Sequence, residues 1–149
     1  MPTRVAINGF GRIGRLVLRA IVEQGRKDLE VVAINDLGSV ATNAHLLQYD
    51  TAHGRFPGNV KAGKKGIDFG RGEVPVLAER DPAKLPWKDL KVDVALECTG
   101  IFVDRVGASK HLEAGARRVL ISAPATGEDI TVVRGVNHAK LKKSHRIIS

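Results

Sequence analysis

The sequence predicts an α/β chain built on an open, mainly parallel, doubly wound sheet. Three observations predict it. About six short apolar runs recur along the 149 residues, and segments of helical pattern separate most of them. The first run, Val5-Ala6-Ile7, leads directly into three glycines, Gly9, Gly11 and Gly14, spaced G-x-G-x-x-G. A second apolar run, Val31-Val32-Ala33-Ile34, then closes a strand–helix–strand unit of about 30 residues.

Each element follows in order. Val5 to Ile7 reads as a buried parallel strand ending at Asn8. Gly9 lets the chain turn sharply off it, Gly11 removes a side chain where a ligand must reach backbone, and Gly14 lets a helix pack closely. In that helix Ile13, Leu16, Val17, Ala20 and Ile21 fall at i, i+3, i+4, i+7 and i+8, the expected apolar face. Gly25 is placed to end it. The next strand ends at Asn35, with Asp36 about 22 positions after Gly14, near the ~20 expected for a ribose-binding acid. Ser39 caps a short helix through about Gln48, with Ala41, Ala44, His45 and Leu47 available for packing.

The stretch from Tyr49 to Gly58 is rich in turn residues and reads as a loop. Between residues 59 and 79, glycines at 63, 66, 70 and 72 amid short alternating runs predict a small antiparallel insertion of one or two hairpins. Asp81-Pro82 and Leu85-Pro86-Trp87 are breaks. Parallel-strand signals resume at Val92 to Cys98, an apolar run with one acid inside, ended by Thr99-Gly100. Asp104 to Ala114 reads as a helix closed by Gly115, and Arg118 to Ser122 as the next strand. Ile130 to Val136 is expected as another strand, Asn137 to Lys142 as a turn or short helix, and His145 to Ser149 as a last strand. In such a sheet ligands sit at the carboxyl ends of the strands, which places Asn8, Asn35, Cys98 and Ser122 beside the expected site.

Composition narrows the class. No apolar run reaches the length of a membrane span, and Met1-Pro2-Thr3-Arg4 runs straight into the first strand without room for a leader, so the expectation is a cytoplasmic protein. One cysteine excludes an internal disulfide, and histidines at 45, 53, 111, 138 and 145 show no metal-like pairing, so no metal is expected. The net charge of +8 attracts anions such as phosphorylated metabolites and nucleotides. Its basic residues are scattered and only 4% of residues are aromatic, which favours an anion-binding fold over a nucleic-acid reader.

The glycine turn and Asp36 together point to a dinucleotide. The first N–H groups of the helix have no internal partner and can hold phosphate oxygens. Asp36 can accept hydrogen bonds from both adenosine ribose hydroxyls and repels a 2′-phosphate, by about 4 kcal/mol at ~4 Å and an effective dielectric near 20, before screening. Leu37 beside it offers nothing to a phosphate, so NAD is expected rather than NADP. Alternatively, Asp36 only ends a strand. Arg12 either neutralises the pyrophosphate or is an exposed cation on the first helical turn. Cys98, on a strand, reads as a small apolar residue rather than a nucleophile. No catalytic arrangement can be picked out.

The run from Ala6 to Arg15 closely resembles the opening of the glyceraldehyde-3-phosphate dehydrogenase family. Ile34-Asn35-Asp36, Tyr49 to Phe56, Glu97 to Phe102, Ile121 to Pro124 and Arg146 to Ser149 resemble it too, so the likeness covers the whole chain. It implies a Rossmann NAD-binding domain over residues 1–149, the amino-terminal half of an enzyme whose catalytic cysteine, base histidine and most substrate-phosphate sites lie further on. The catalytic domain is thus expected to be absent, and the chain inactive by itself. By that resemblance Arg12 meets the pyrophosphate, Ile13 the nicotinamide side and Asp36 the adenosine ribose. Arg80 approaches the adenine, Thr99, Gly100 and Phe102 line its pocket, and Ser122 approaches the nicotinamide. Asn8, Gly9, Gly11, Gly14 and Asn35 complete the cofactor set. Without the family, Arg80 reads as an exposed cation, Phe102 as core packing and Ser122 as a strand-end cap. The implied intact enzyme is a glycolytic homotetramer oxidising a sugar-phosphate aldehyde to an acyl phosphate. The related erythrose-4-phosphate dehydrogenase and a non-catalytic nucleic-acid-binding module are the alternatives.

Overall fold

The computed structural model describes residues 1–149. Strand β1 (Thr3–Asn8) leads into helix α1 (Arg12–Glu23), strand β2 (Leu29–Asn35) and helix α2 (Val40–Gln48). A two-residue hairpin follows, β3 (Tyr49–Asp50) with β4 (Gly54–Arg55). Then come β5 (Lys61–Ala62), β6 (Gly66–Asp68) and β7 (Glu73–Leu77). The second half holds β8 (Val94–Glu97), helix α3 (Arg105–Glu113), β9 (Arg118–Ile121) and β10 (Ile147–Ile148), with 3-10 turns at Pro82–Lys84 and His138–Lys140.

Eight strands form one sheet in the order β10-β9-β8-β1-β2-β7-β6-β5. Pairings from β10 to β7 are parallel, and β7-β6-β5 are antiparallel. The expected insertion near 59–79 is therefore present, and its last strand rejoins the main sheet beside β2. The chain leaves β1 toward β2 on one side and returns to β8 on the other, so the strand order reverses at β1/β8. Ligand clefts in doubly wound sheets lie at such a reversal.

The strand alternation divides the core between the two faces. Val5 and Ile7 of β1 point to one face, with Leu18, Ile21, Ile34, Leu47, Phe56 and Phe69. Ala6, Ala33 and Ala95 point to the other, where Leu85, Trp87 and Val92 cover them. Three small side chains in adjacent strands leave room for the fully buried Trp87 indole. Truncating such an aromatic costs about 3–5 kcal/mol. Over β9 and β10, Ala108 of α3 closes a smaller cluster with Val119, Ile121 and Ile147.

Three expectations are corrected. In α1 the buried side is Gly14, Leu18, Arg19 and Ile21, while Ile13 and Ala20 are exposed. The helix meets the sheet through the bare backbone of Gly14, which rotates the contact side away from the apolar count. In α2, Ala41 and His45 are exposed and the polar Asn43 and Gln48 are buried with Ala44 and Leu47. Gln48 is drawn in because its amide donates to the Phe56 and Gly58 carbonyls and accepts from the Val60 N–H. Finally, Ile130 to Val136 forms no strand. Ile130 makes one parallel bridge to Ile148, and the Val132 N–H donates to the Ser149 carbonyl at 2.8 Å. The chain turns instead, with the Asn137 carboxamide accepting from Val133 N–H. No helix is long and apolar enough to cross a membrane.

Candidate functional site

An open cleft of about 380 Å³ lies at the carboxyl ends of β1, β2 and β8. Eight of the expected residues line it: Asn8, Gly9, Gly11, Asn35, Asp36, Arg80, Thr99 and Phe102. Leu37, Glu79, Cys98 and Ile101 complete the wall.

The glycine turn forms the floor. Gly9 has φ +90°, and a Cβ there would lie 2.7 Å from the Thr99 backbone nitrogen, so the β1 and β8 ends touch with no room for a side chain. A Cβ on Gly14 would lie 2.2 Å from the Gly9 carbonyl oxygen, which seats α1 against the turn. Around Gly11 there is open space within 4 Å, leaving the backbone approachable. Helix α1 begins there without any side-chain cap, whereas Ser39 caps α2 and Asp104 caps α3. Its first N–H groups thus face outward at the positive end of the helix dipole. Arg12 and Ile13 are exposed on this first turn, adjoining the cleft rather than lining it.

Asp36 is held against that turn. Its Oδ2 accepts from the Phe10 N–H at 2.9 Å, and its Oδ1 accepts from the Gly38 N–H at 2.8 Å and the Asn43 amide at 3.3 Å. The carboxylate and the helix start are therefore parts of one site. Arg80 is an exposed cation on the rim, and Phe102 is half-buried beneath Lys110, whose ammonium lies 5.7 Å from the ring centroid. Gly100 turns the loop after β8 with φ +74° but does not line the cleft. Ser122 lies past the end of β9, exposed and outside the cleft; its N–H donates to the Glu97 carbonyl at 3.0 Å. Cys98 is half-buried, and burial pushes its thiol up, against thiolate reactivity.

Asn8 and Asn35 are used differently from a direct ligand contact through their side chains. Both are buried, and the Asn35 amide donates to Asn8 Oδ1 at 2.7 Å and to the Glu79 carbonyl at 2.8 Å. Asn8 Nδ2 in turn donates to Glu97 Oε2 at 2.7 Å. Sequence reasoning missed this Glu97 centre. The carboxylate also receives His111 Nε2 at 2.8 Å, Thr99 N–H at 2.8 Å and the Thr99 hydroxyl. Trp87 Nε1 donates to His111 Nδ1 at 2.9 Å behind it. Burial pushes the Glu97 carboxyl up, but hydrogen bonds from His111, Thr99 and Asn8 outweigh it and hold the group below the usual carboxylate range. The one available signal was an acid inside an otherwise apolar strand.

The residues fit a dinucleotide: an uncapped helix start, an open glycine backbone and an adjacent carboxylate converge on one cleft. Comparison with known proteins agrees. Residues 3–105 match the family model described as "Glyceraldehyde 3-phosphate dehydrogenase, NAD binding domain". Over 149 residues the chain is 64% identical to the glyceraldehyde-3-phosphate dehydrogenase of Xanthobacter flavus and 61% identical to that of Cereibacter sphaeroides. It is 58% identical over 146 residues to that of Thermotoga maritima. The match takes in 98–100% of this chain and 44% of each relative, so the chain spans under half their length.

Proposed function

We infer the function from one premise: the chain belongs to the glyceraldehyde-3-phosphate dehydrogenase family, matched through its NAD-binding domain. Residues 1–149 act as that domain in a phosphorylating dehydrogenase that oxidises glyceraldehyde 3-phosphate to an acyl phosphate in glycolysis. Bound NAD supplies the hydride acceptor. The α1 amides and Arg12 hold the pyrophosphate, and Asp36 accepts from the adenosine ribose. Arg80, Thr99 and Phe102 enclose the adenine, with Gly100 turning the loop that carries the last two. Ile13 and Ser122 border the nicotinamide, while Asn8, Asn35, Gly9, Gly11 and Gly14 shape the floor.

The covalent steps belong to other parts of the full-length protein, a homotetramer of the cytoplasm. There a histidine-activated cysteine would supply the nucleophile for the aldehyde and phosphate would take the acyl group from the sulfur, with NAD, held by the residues above, as the hydride acceptor. This chain binds and orients without catalysing.

The observation carrying this reading is the Asp36 carboxylate bonded to the Phe10 N–H beside the uncapped start of α1. Amide chemical-shift mapping with NAD tests it. Shifts concentrated at Gly9–Ile13, Asp36–Leu37, Arg80 and Thr99–Phe102 support the assignment. Shifts confined to other surfaces contradict it. Aldehyde oxidation by the chain alone contradicts the division of labour.

A further inference from the structure

Strand β8 ends in a buried carboxylate that none of the cofactor contacts above uses. Four donors converge on Glu97: Asn8 Nδ2 and His111 Nε2 at one oxygen, the Thr99 N–H and hydroxyl at the other. The direction of each donor is imposed from elsewhere. The Glu79 N–H donates to Asn35 Oδ1 at 2.8 Å, so the Asn35 amide nitrogen faces the Glu79 carbonyl and Asn8 Oδ1. Asn8 Nδ2 is then left to face Glu97. On the other side an indole N–H only donates, so Trp87 makes His111 Nδ1 the acceptor and puts the ring proton on Nε2, toward Glu97. A backbone N–H fixes the Thr99 contact. Position 97 must accept from every side, which an ionised carboxylate does and a carboxamide does not.

We infer that Glu97 is a positioning residue for the dinucleotide, holding three segments of the cleft in one arrangement. The inference rests on the NAD reading above. Through Thr99 it fixes the wall after β8. Through Asn8 it fixes the end of β1, where the Gly9 turn touches the Thr99 backbone too closely for a Cβ. Through Asn8, Asn35 and Glu79 it reaches the segment that carries Arg80. Networks of this kind fail as a unit, because a donor facing a donor has no buried alternative.

The test is a double-mutant cycle on NAD affinity in this chain. Glu97→Gln weakens NAD binding about tenfold or more, because the new amide faces Asn8 and His111 or the Thr99 donors. Adding Asn8→Asp puts the acceptor-only group on the other side of the pair: its carboxylate accepts from the glutamine amide and from Asn35, while the glutamine oxygen accepts from Thr99, and the double variant recovers about threefold or more over Glu97→Gln. A purely packing role gives no recovery, since Asn8→Asp keeps the shape of the side chain. Equal affinity of Glu97→Gln and the unmutated chain, or a double variant no tighter than Glu97→Gln, overturns the inference.

If Glu97→Gln does not fold, the His111 ring nitrogens of the unmutated chain decide by NMR. A bare Nδ1 and a protonated Nε2 whose resonance moves on NAD addition support the inference. A proton on Nδ1, or an Nε2 resonance that NAD leaves unmoved, overturns it. An unmutated chain that fails to bind NAD sinks the NAD reading together with this inference. One that binds NAD while Glu97→Gln binds equally well sinks this inference alone.

Discussion

Helices α2 and α3 begin on side chains of their own, and α1 does not. The Ser39 hydroxyl accepts from the Thr42 N–H at 3.1 Å, and Asp104 Oδ1 accepts from the Gly107 N–H at 2.6 Å. Helix α1 starts at Gly11 with no cap, at the edge of the cleft. A typical cap is worth about 1 kcal/mol of stability. The uncapped start of α1, where the sheet order reverses, leaves its backbone donors without a side-chain partner. The two capped helices reach the cleft through side chains instead, Asn43 of α2 on Asp36 and His111 of α3 on Glu97.

The comparison breaks most strongly at the glycine turn. Gly9→Ala forces an L side chain into a positive φ and against the Thr99 backbone, and Gly14→Ala drives a Cβ into the Gly9 carbonyl. Each costs about 2–4 kcal/mol or more in urea unfolding and abolishes NAD binding. Variants that unfold as the unmutated chain does would contradict the close packing described for this turn.

Capping residues give a smaller effect of a different kind. Asp104→Ala and Ser39→Ala each lower unfolding stability by about 1 kcal/mol. Neither changes NAD affinity beyond about twofold, because neither helix start holds the phosphates. A large affinity loss in both would erase the distinction between the helix starts. Arg12→Gln sharpens it from the other side. The residue is exposed, so its pairing with a bound phosphate contributes only about 0.2–1 kcal/mol, up to a fivefold loss of NAD affinity that added salt diminishes. Stability stays unchanged.

Acid acts on carboxylates outside the cleft lining. The folded Glu97 carboxyl sits below its ordinary value, so its stabilisation is complete above about pH 4.5. It is lost as pH falls through the lowered folded value. Asp129 behaves alike, held low by Arg105 and by the Arg146 and Ile147 N–H groups. Unfolding curves between pH 7 and 3 should show a plateau and then a fall. Stability that rises on acidification would contradict the direction assigned to both groups.

The features legible in the sequence were local ones. The glycine spacing, Asp36 after the second strand, and Ser39 at a helix start each declare themselves within a few residues, because turn, strand end and cap are short-range devices. The side of α1 that packs was not legible, since Gly14 makes the closest approach and contributes nothing to an apolar count. Trp87, His111 and Glu97 come from three separate segments and meet only when β8, α3 and the loop before β8 pack together. The 130–136 run carried strand-like residues, but only Ile130 bridges β10, and the Asn137 side chain turns the chain by bonding the Val133 N–H and the Thr131 carbonyl.

Calorimetric titration of the chain with NAD and with NADP, repeated on Asp36→Ala, bears most directly on the site. NAD should bind at least tenfold tighter than NADP to the unmutated chain, and the substitution should weaken NAD and remove the preference. Equal affinity for both cofactors before the substitution, or a preference that survives it, would contradict the role given to the carboxylate beside the uncapped helix.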